Sequence, residues 1–313
     1  MVNMYKTVSG LLGLWWALHP IQPSLAQGAF KDCAQCPGMM IVSAGAFEMG
    51  ARAEENVREE SPERYITWES PVHRVRIPKS FAVGVSEVTR GEFGAFVSET
   101  NHLANTCDIA KGNDWERRAD KSWRDPDFVQ DDRHPVVCVN WHDAKAYVQW
   151  LALKTGKAYR LLSEAEWEYI ARAGTSGARF WGDGRDGACQ YANVPDQTHA
   201  ATTGNRANTF SCQDGFTFTS PAQSFAANAF GFYDTIGNVW EWVEDCFQDS
   251  YAGAPNDGSA WKPETNCQYH VARGGSWNPR LATQLRAAAR GRVTTTLKNS
   301  NLGFRIALTL EAR

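Results

Sequence analysis

Apolar positions recur with a helical period in two runs of the central part of the chain. Behind Asn140-Trp-His-Asp143, residues Ala144, Tyr147, Val148 and Leu151 follow the i, i+3, i+4, i+7 spacing of one buried face, ending near Gly156. Behind Ser163-Glu-Ala-Glu166, residues Trp167, Ile170 and Ala171 repeat the pattern up to Gly174. Thr89-Arg-Gly-Glu92 opens a third helix. Each start places a capping side chain three residues ahead of a carboxylate, which satisfies orphan backbone N–H groups and complements the helix dipole. Glu164 and Glu168 are expected on the wet face of their helix. Val72-His-Arg-Val-Arg-Ile77 alternates apolar and basic residues, as a strand with one solvated face does, with His73 on its surface. Met39 to Gly50 reads as a hairpin turning at Ala44-Gly45, and the Glu- and Arg-rich residues 51–70 as a charged loop with little to bury.

From residue 175 onward no helical period is sustained, and Gly, Asn, Asp and aromatic residues dominate. A structureless run of that length inside a compact domain calls for another ordering agent, such as cations, disulfides or buried Trp. No fixed-period repeat supports a propeller or solenoid. The 313 residues suffice for one large domain or two ordinary ones, and 13 Trp beside 26 Gly point to turns pinned by rings. With 32 basic and 35 acidic residues, the chain carries no field that would draw it to nucleic acid.

Lys6, the apolar run Val8 to Leu18 and the small-x-small site Ser24-Leu-Ala26 read as a secretory signal peptide over 1–26, with an uncleaved anchor as the competing reading. The mature chain is then periplasmic or secreted and free of the membrane. Eight cysteines, at 33, 36, 107, 138, 189, 212, 246 and 267, agree with export and read as a disulfide framework. Sequential pairing, which closes only local loops, is the expected connectivity. Residues 27–37 form a tail carrying Cys33-Ala-Gln-Cys36, for which a redox or metal CxxC is the other reading.

The stretch Phe230 to Cys246 combines oxygen donors (Asp234, Asn238, Glu241, Glu244, Asp245) with large rings and with glycines at 231 and 237. On spacing alone it serves either a hard cation such as Ca2+ or a buried aromatic strand with a solvated acidic end.

Four ordered motifs, Leu162 to Tyr169, Gly237-Asn-Val-Trp-Glu-Trp242, Arg273-Gly-Gly-Ser-Trp277 and Asn301-Leu-Gly-Phe-Arg305, resemble the formylglycine-generating enzyme (sulfatase-modifying factor) family. The resemblance covers about residues 38–310. It implies a single irregular α+β domain, an elaborated C-type-lectin-like fold with little regular structure. It also implies two structural Ca2+ sites, one at Asn193, Val194, Asp214 and Phe216 and the other at Asp234, Gly237, Val239 and Glu241. The family's copper-binding cysteine pair is missing. Its first position falls on Pro279 and its second on Gln284 or Ala282, none of them a thiolate, so copper is not expected there.

The cleft implied by the family would be floored by Ser276, Trp277 and Arg280 as catalytic candidates. Trp240, Asn278, Arg286 and Arg290 are the substrate-binding candidates, offering ring faces and anion-binding forks. Two functions follow as expectations. The first is an exported oxidoreductase or maturation factor acting on a protein, peptide or peptide-derived siderophore precursor, a branch of the family that works without the copper cysteines. The second is a non-catalytic binding or accessory module using the same cleft for a peptide or glycan.

Overall fold

The computed structural model describes Met1 and residues 28–111, 114–206, 208–262, 267–279 and 281–311. The export signal expected at 1–26 lies, Met1 aside, outside the described residues. Short elements succeed one another in the order β1 (Met39–Val42), β2 (Gly45–Met49), α1 (Ala53–Arg58), α2 (Glu63–Trp68), β3 (His73–Ile77), β4 (Phe81–Gly84) and α3 (Arg90–Thr100). There follow β5 (Asn105–Lys111), β6 (Asp114–Ser122), α4 (Trp141–Thr155), β7 (Tyr159–Leu161), α5 (Glu164–Arg172) and α6 (Gln197–Thr203). The C-terminal part holds β8 (Trp240–Cys246), β9 (Tyr269–Arg273), β10 (Arg290–Thr294), β11 (Leu302–Phe304) and β12 (Ile306–Thr309). Two four-stranded sheets, ordered β1-β4-β12-β7 and β10-β9-β8-β11, carry the core, with β2-β3 and β5-β6 as two-stranded ribbons. This is the α+β arrangement expected, with long irregular connections.

The local signals at the helix starts are realised. Thr89, Asn140 and Ser163 each form a full capping box with Glu92, Asp143 and Glu166. Gly156 closes α4 in the left-handed conformation, φ 70°, which a Cβ would strain. Phe93, Phe96, Tyr147 and Trp150 from α3 and α4 pack with Phe304 into one apolar cluster, and Trp167, Ile170, Phe232 and Val243 lie in a second. The four cysteine pairs are Cys33–Cys36, Cys107–Cys138, Cys189–Cys212 and Cys246–Cys267, the sequential connectivity.

Three expectations are corrected. Residues 39–50 are not a hairpin: β1 pairs antiparallel with β4 and β2 with β3, so both strands are used by later segments. Residues 51–70 are not a loop with little to bury, because α1 and α2 occupy them and Glu55, Glu59, Tyr65 and Glu69 are inside. Glu164 and Glu168 are not solvated. Every residue of α5 is buried, since the irregular C-terminal segment covers the face that the helical period had left polar. Glu164 receives Arg290 (Nε 2.7 Å, Nη2 2.9 Å) and Arg273 Nη1 (3.0 Å), and Glu168 receives Arg172 Nε (2.7 Å) and Arg273 Nη2 (2.5 Å). Arg305, between β11 and β12, bonds Glu241 of β8, the Gly84 carbonyl at the end of β4 and the Tyr233 carbonyl, so one guanidinium joins both large sheets.

His270 on β9 is buried, stacks on Trp141 at 4.0 Å and donates from Nδ1 to the Asp245 carbonyl at 3.0 Å. Burial pushes its pKa from 6.5 down to about 4. A histidine whose folded value is depressed contributes stability that is complete above its unfolded value and lost as pH falls toward the folded one. Between pH 8 and pH 5 this group alone should remove on the order of 2 kcal/mol from the unfolding free energy. His270→Phe keeps the ring stack without the titration, so its stability should fall less over that interval in urea unfolding. Equal losses in the two proteins would refute the assignment.

Candidate functional site

A double-glycine turn leads into the floor of a cleft lined by several aromatic rings. After β9 the chain turns at Gly274 (φ 95°) and Gly275 (φ 74°), a backbone conformation that L side chains resist. A Cβ on Gly275 would also meet the Gln284 carbonyl at 2.8 Å and Leu285 at 2.7 Å. This close approach lays residues 276–279 against the 281–289 segment. The cleft, of about 440 Å3, is walled by Arg64, Tyr65 and Trp68 of α2, Asp108 and Trp115 of the β5–β6 ribbon and Trp240 of β8. Asn278, Gln284, Asn299 and Asn301 contribute amides, and β10 contributes Arg290 to Thr294. The ribbon is held in place by Cys107–Cys138 and by backbone bonds from Asp108 N to Lys298 O and from Ser300 N to Asp108 O.

The expected site residues divide. Trp240 and Asn278 are half-buried and line the cleft. Ser276 is fully buried, and its hydroxyl accepts from Asn301 Nδ2 (2.9 Å) and from the Asn278 amide (3.3 Å). Trp277 is 1% exposed and packs edge-on against Phe128 and Phe218. These two residues are buried beneath the floor, and neither lines the cleft. Arg280 lies outside the described residues. Arg286, with no exposure, gives its donors to Glu55 (2.7 Å), to both oxygens of Glu69 (2.9 Å) and to the Thr283 carbonyl (2.6 Å). Arg290 is likewise held by Glu164 and by the carbonyls of Trp68 and Gln248. The expectation that these two arginines bind substrate is corrected: both guanidiniums are consumed by the protein's own acceptors. Of the positions matching the family's copper ligands, Gln284 donates to Tyr65 Oη at 2.8 Å, and no cysteine among the described residues is free.

Sequence reasoning missed Arg64, Tyr65, Trp68, Trp115 and Asn301 as cleft residues. Trp68 and Trp115, large rings inside charged segments, were the available signal, and Asn301 already stood in a recognised motif.

The cation positions carry orphaned oxygens. At the second, Asp234 is 2% exposed, and its Oδ2 accepts from Gln223 N (2.8 Å) while Oδ1 has no partner among the described residues. Beside it Glu87, 1% exposed, has no partner on either oxygen among the described residues. Burial, followed by the neighbouring Asp234 and Glu241 charges, pushes Glu87 well above the usual carboxylate range, and burial raises Asp234 to about 6. Glu241, in contrast, is already engaged by Trp167 Nε1 (2.8 Å) and Arg305 (2.8 Å). At the first position Asn193 Oδ1 is buried without a partner among the described residues, and Asp214 accepts the amides of Val194 (3.0 Å) and Phe216 (2.8 Å) next to Asp196. Burial raises Asp214 to about 7. Buried oxygens lacking a donor fit a hard cation at both positions. Glu87 and Asp196 are the carboxylates that sequence reasoning had not included.

Residues 26–310 match the family described as "Sulfatase-modifying factor enzyme 1-like domain". The chain belongs to this family. Among its relatives, the formylglycine-generating enzyme of Streptomyces coelicolor is 32% identical over 319 residues, covering 91% of this chain and 95% of that protein. The mouse formylglycine-generating enzyme is 30% identical over 301 residues, covering 86% and 74%. PvdO from Pseudomonas aeruginosa superposes with a TM-score of 0.75 at 36% identity, covering 92% of this family member and all of PvdO. Variable protein 1 of Treponema denticola shares the fold, with a TM-score of 0.64 at 19% identity over 90% and 98% of the two chains.

Proposed function

We propose that this protein is an exported maturation factor of the sulfatase-modifying factor family that oxidises a peptide or peptide-derived substrate, such as a siderophore precursor, without a copper–thiolate pair. The observation that carries this reading is a cleft of rings and amides at the family's Arg-Gly-Gly-Ser segment, in a chain whose corresponding positions hold no cysteine. The resemblance to PvdO along all of that chain supports it. Four disulfides fit an oxidising extracellular compartment, and among the described residues no helix is long and apolar enough to cross a membrane. In the cleft, Trp240 stacks on the substrate, while Asn278 fixes it by amide hydrogen bonds above the prop that Ser276 and Asn301 form. A non-catalytic binding module is the second reading. One observation favours it: Asp108, a carboxylate of the cleft wall, is taken up bidentately by Arg117 (2.7 and 3.1 Å), leaving amides as the polar floor.

Oxygen uptake and product mass separate the two. The purified protein, given a cysteine peptide of the sulfatase type and a siderophore-type peptide precursor in parallel, should consume O2 and change the mass of the precursor. Bound but unaltered substrates in both arms would leave the binding module.

Two structural Ca2+ ions belong to the same reading, one held around Asn193 and Asp214 and the other around Asp234 and Glu87. Carboxylates raised by burial become stabilising once a cation compensates their charge, which couples stability to metal. EDTA should lower the melting temperature. Glu87→Gln with Asp234→Asn should remove one ion per chain by elemental analysis, and an unchanged ion content would refute the second site.

A further inference from the structure

Two arginines of the cleft, unlike Arg286 and Arg290, have no carboxylate partner among the described residues. Arg64, exposed on α2, lies over the Tyr65 ring at 4.9 Å and reaches Tyr65 Oη at 3.4 Å. Arg292, exposed on β10, lies over the Tyr269 ring at 4.1 Å and near Phe247 at 5.8 Å. A guanidinium resting on a ring face is held flat by the ring quadrupole while its N–H edge stays free to accept an anion in a fork. Both line the same 440 Å3 cleft.

Its other unoccupied valence is aromatic. Trp115 and Trp240 are half-buried cleft residues, and no ring among the described residues stacks on either. By contrast Trp68 is closed off edge-on by Tyr65 and Phe247, at 5.2 and 4.9 Å. The remaining charges in the lining are neutralised locally, Asp108 by Arg117 and Arg290 by Glu164. What the cleft leaves unsatisfied is therefore two ring faces and two cationic forks.

We infer that the cleft recognises a planar aromatic group bearing a carboxylate or comparable anion, with Arg64 and Arg292 as the anion-binding residues and Trp115 and Trp240 as the stacking platform. This specificity rests on the cleft being the functional site. The volume holds a ring with a short chain attached, in the range of small-ligand pockets, and not a folded protein domain. A neutral ring loses the forks, and a saturated acid loses the platform.

Calorimetric titration with naphthalene-2-carboxylate, naphthalene-2-carboxamide and cyclohexanecarboxylate tests this without any variant. The aromatic acid should bind at least ~10-fold more tightly than either of the others, the forks and the stack each supplying a charge-assisted or ring-specific contact. Its affinity should also fall with added salt. Arg64→Gln with Arg292→Gln should remove that preference at an unchanged melting temperature, both side chains being exposed, whereas Arg133→Gln on another face should retain it. Equal affinity for acid and amide, no binding of the acid, or a double variant that binds like the parent would each overturn the assignment. If precursor turnover persists while the acid preference is absent, the specificity fails and the oxidative reading survives. If the preference is present without turnover, only the oxidative reading fails.

Discussion

Arg273 leaves β9 with no solvent exposure and is met by Glu164, Glu168 and the carbonyls of Ala287 and Ala288. The same motif recurs around it: Arg290 on Glu164, Arg286 on Glu55 and Glu69, Arg179 on Glu59, and Arg305 on Glu241, every one of these guanidiniums fully buried. A buried charge is tolerable only when paired and hydrogen-bonded, and removing one partner strands the other at a penalty of about 3–5 kcal/mol. These pairs span the chain. They fasten α1, α2 and α5 onto the irregular C-terminal segments, which have too few backbone ladders to hold themselves.

The cleft inherits its chemistry from that arrangement. Because Arg286 and Arg290 are committed to the scaffold, the groups left facing the open space are rings, amides and the two exposed arginines of its rim. The double-glycine turn and the Cys107–Cys138 bridge set the distance between the floor and the ribbon wall, and Asn301 ties the floor to β11 through Ser276. The orphaned carboxylate oxygens of Glu87 and Asp234 sit beside the Arg305–Glu241 pair, so a cation there would act on the same joint between the two sheets.

What could be read in the sequence was what local geometry decides. The three capping boxes, the end of α4 at Gly156 and the cysteine pairs that close short loops all involve residues near one another in the chain. The four ordered motifs carried the family and the fold, and the second of them contains Trp240 of the cleft wall. Long-range pairing was not legible. Nothing in residues 39–50 says that β1 pairs with Phe81–Gly84 and not with its own neighbour β2. Glu164 and Glu168 follow the helical period of a wet face, and only the later arginines that cover α5 turn that face inward. The acids of residues 51–70 looked like solvated charge for the same reason, since Arg179 and Arg286, which bury them, lie more than a hundred residues downstream.

The unfolding free energy of Arg286→Met, measured in urea beside the parent protein, bears most directly on the role of these buried pairs. With Arg286 serving as a scaffold cation, the substitution strands Glu55 and Glu69 and should lower stability by about 3–5 kcal/mol. Stability unchanged from the parent would contradict this, and would return Arg286 to the cleft as a group free to meet a ligand.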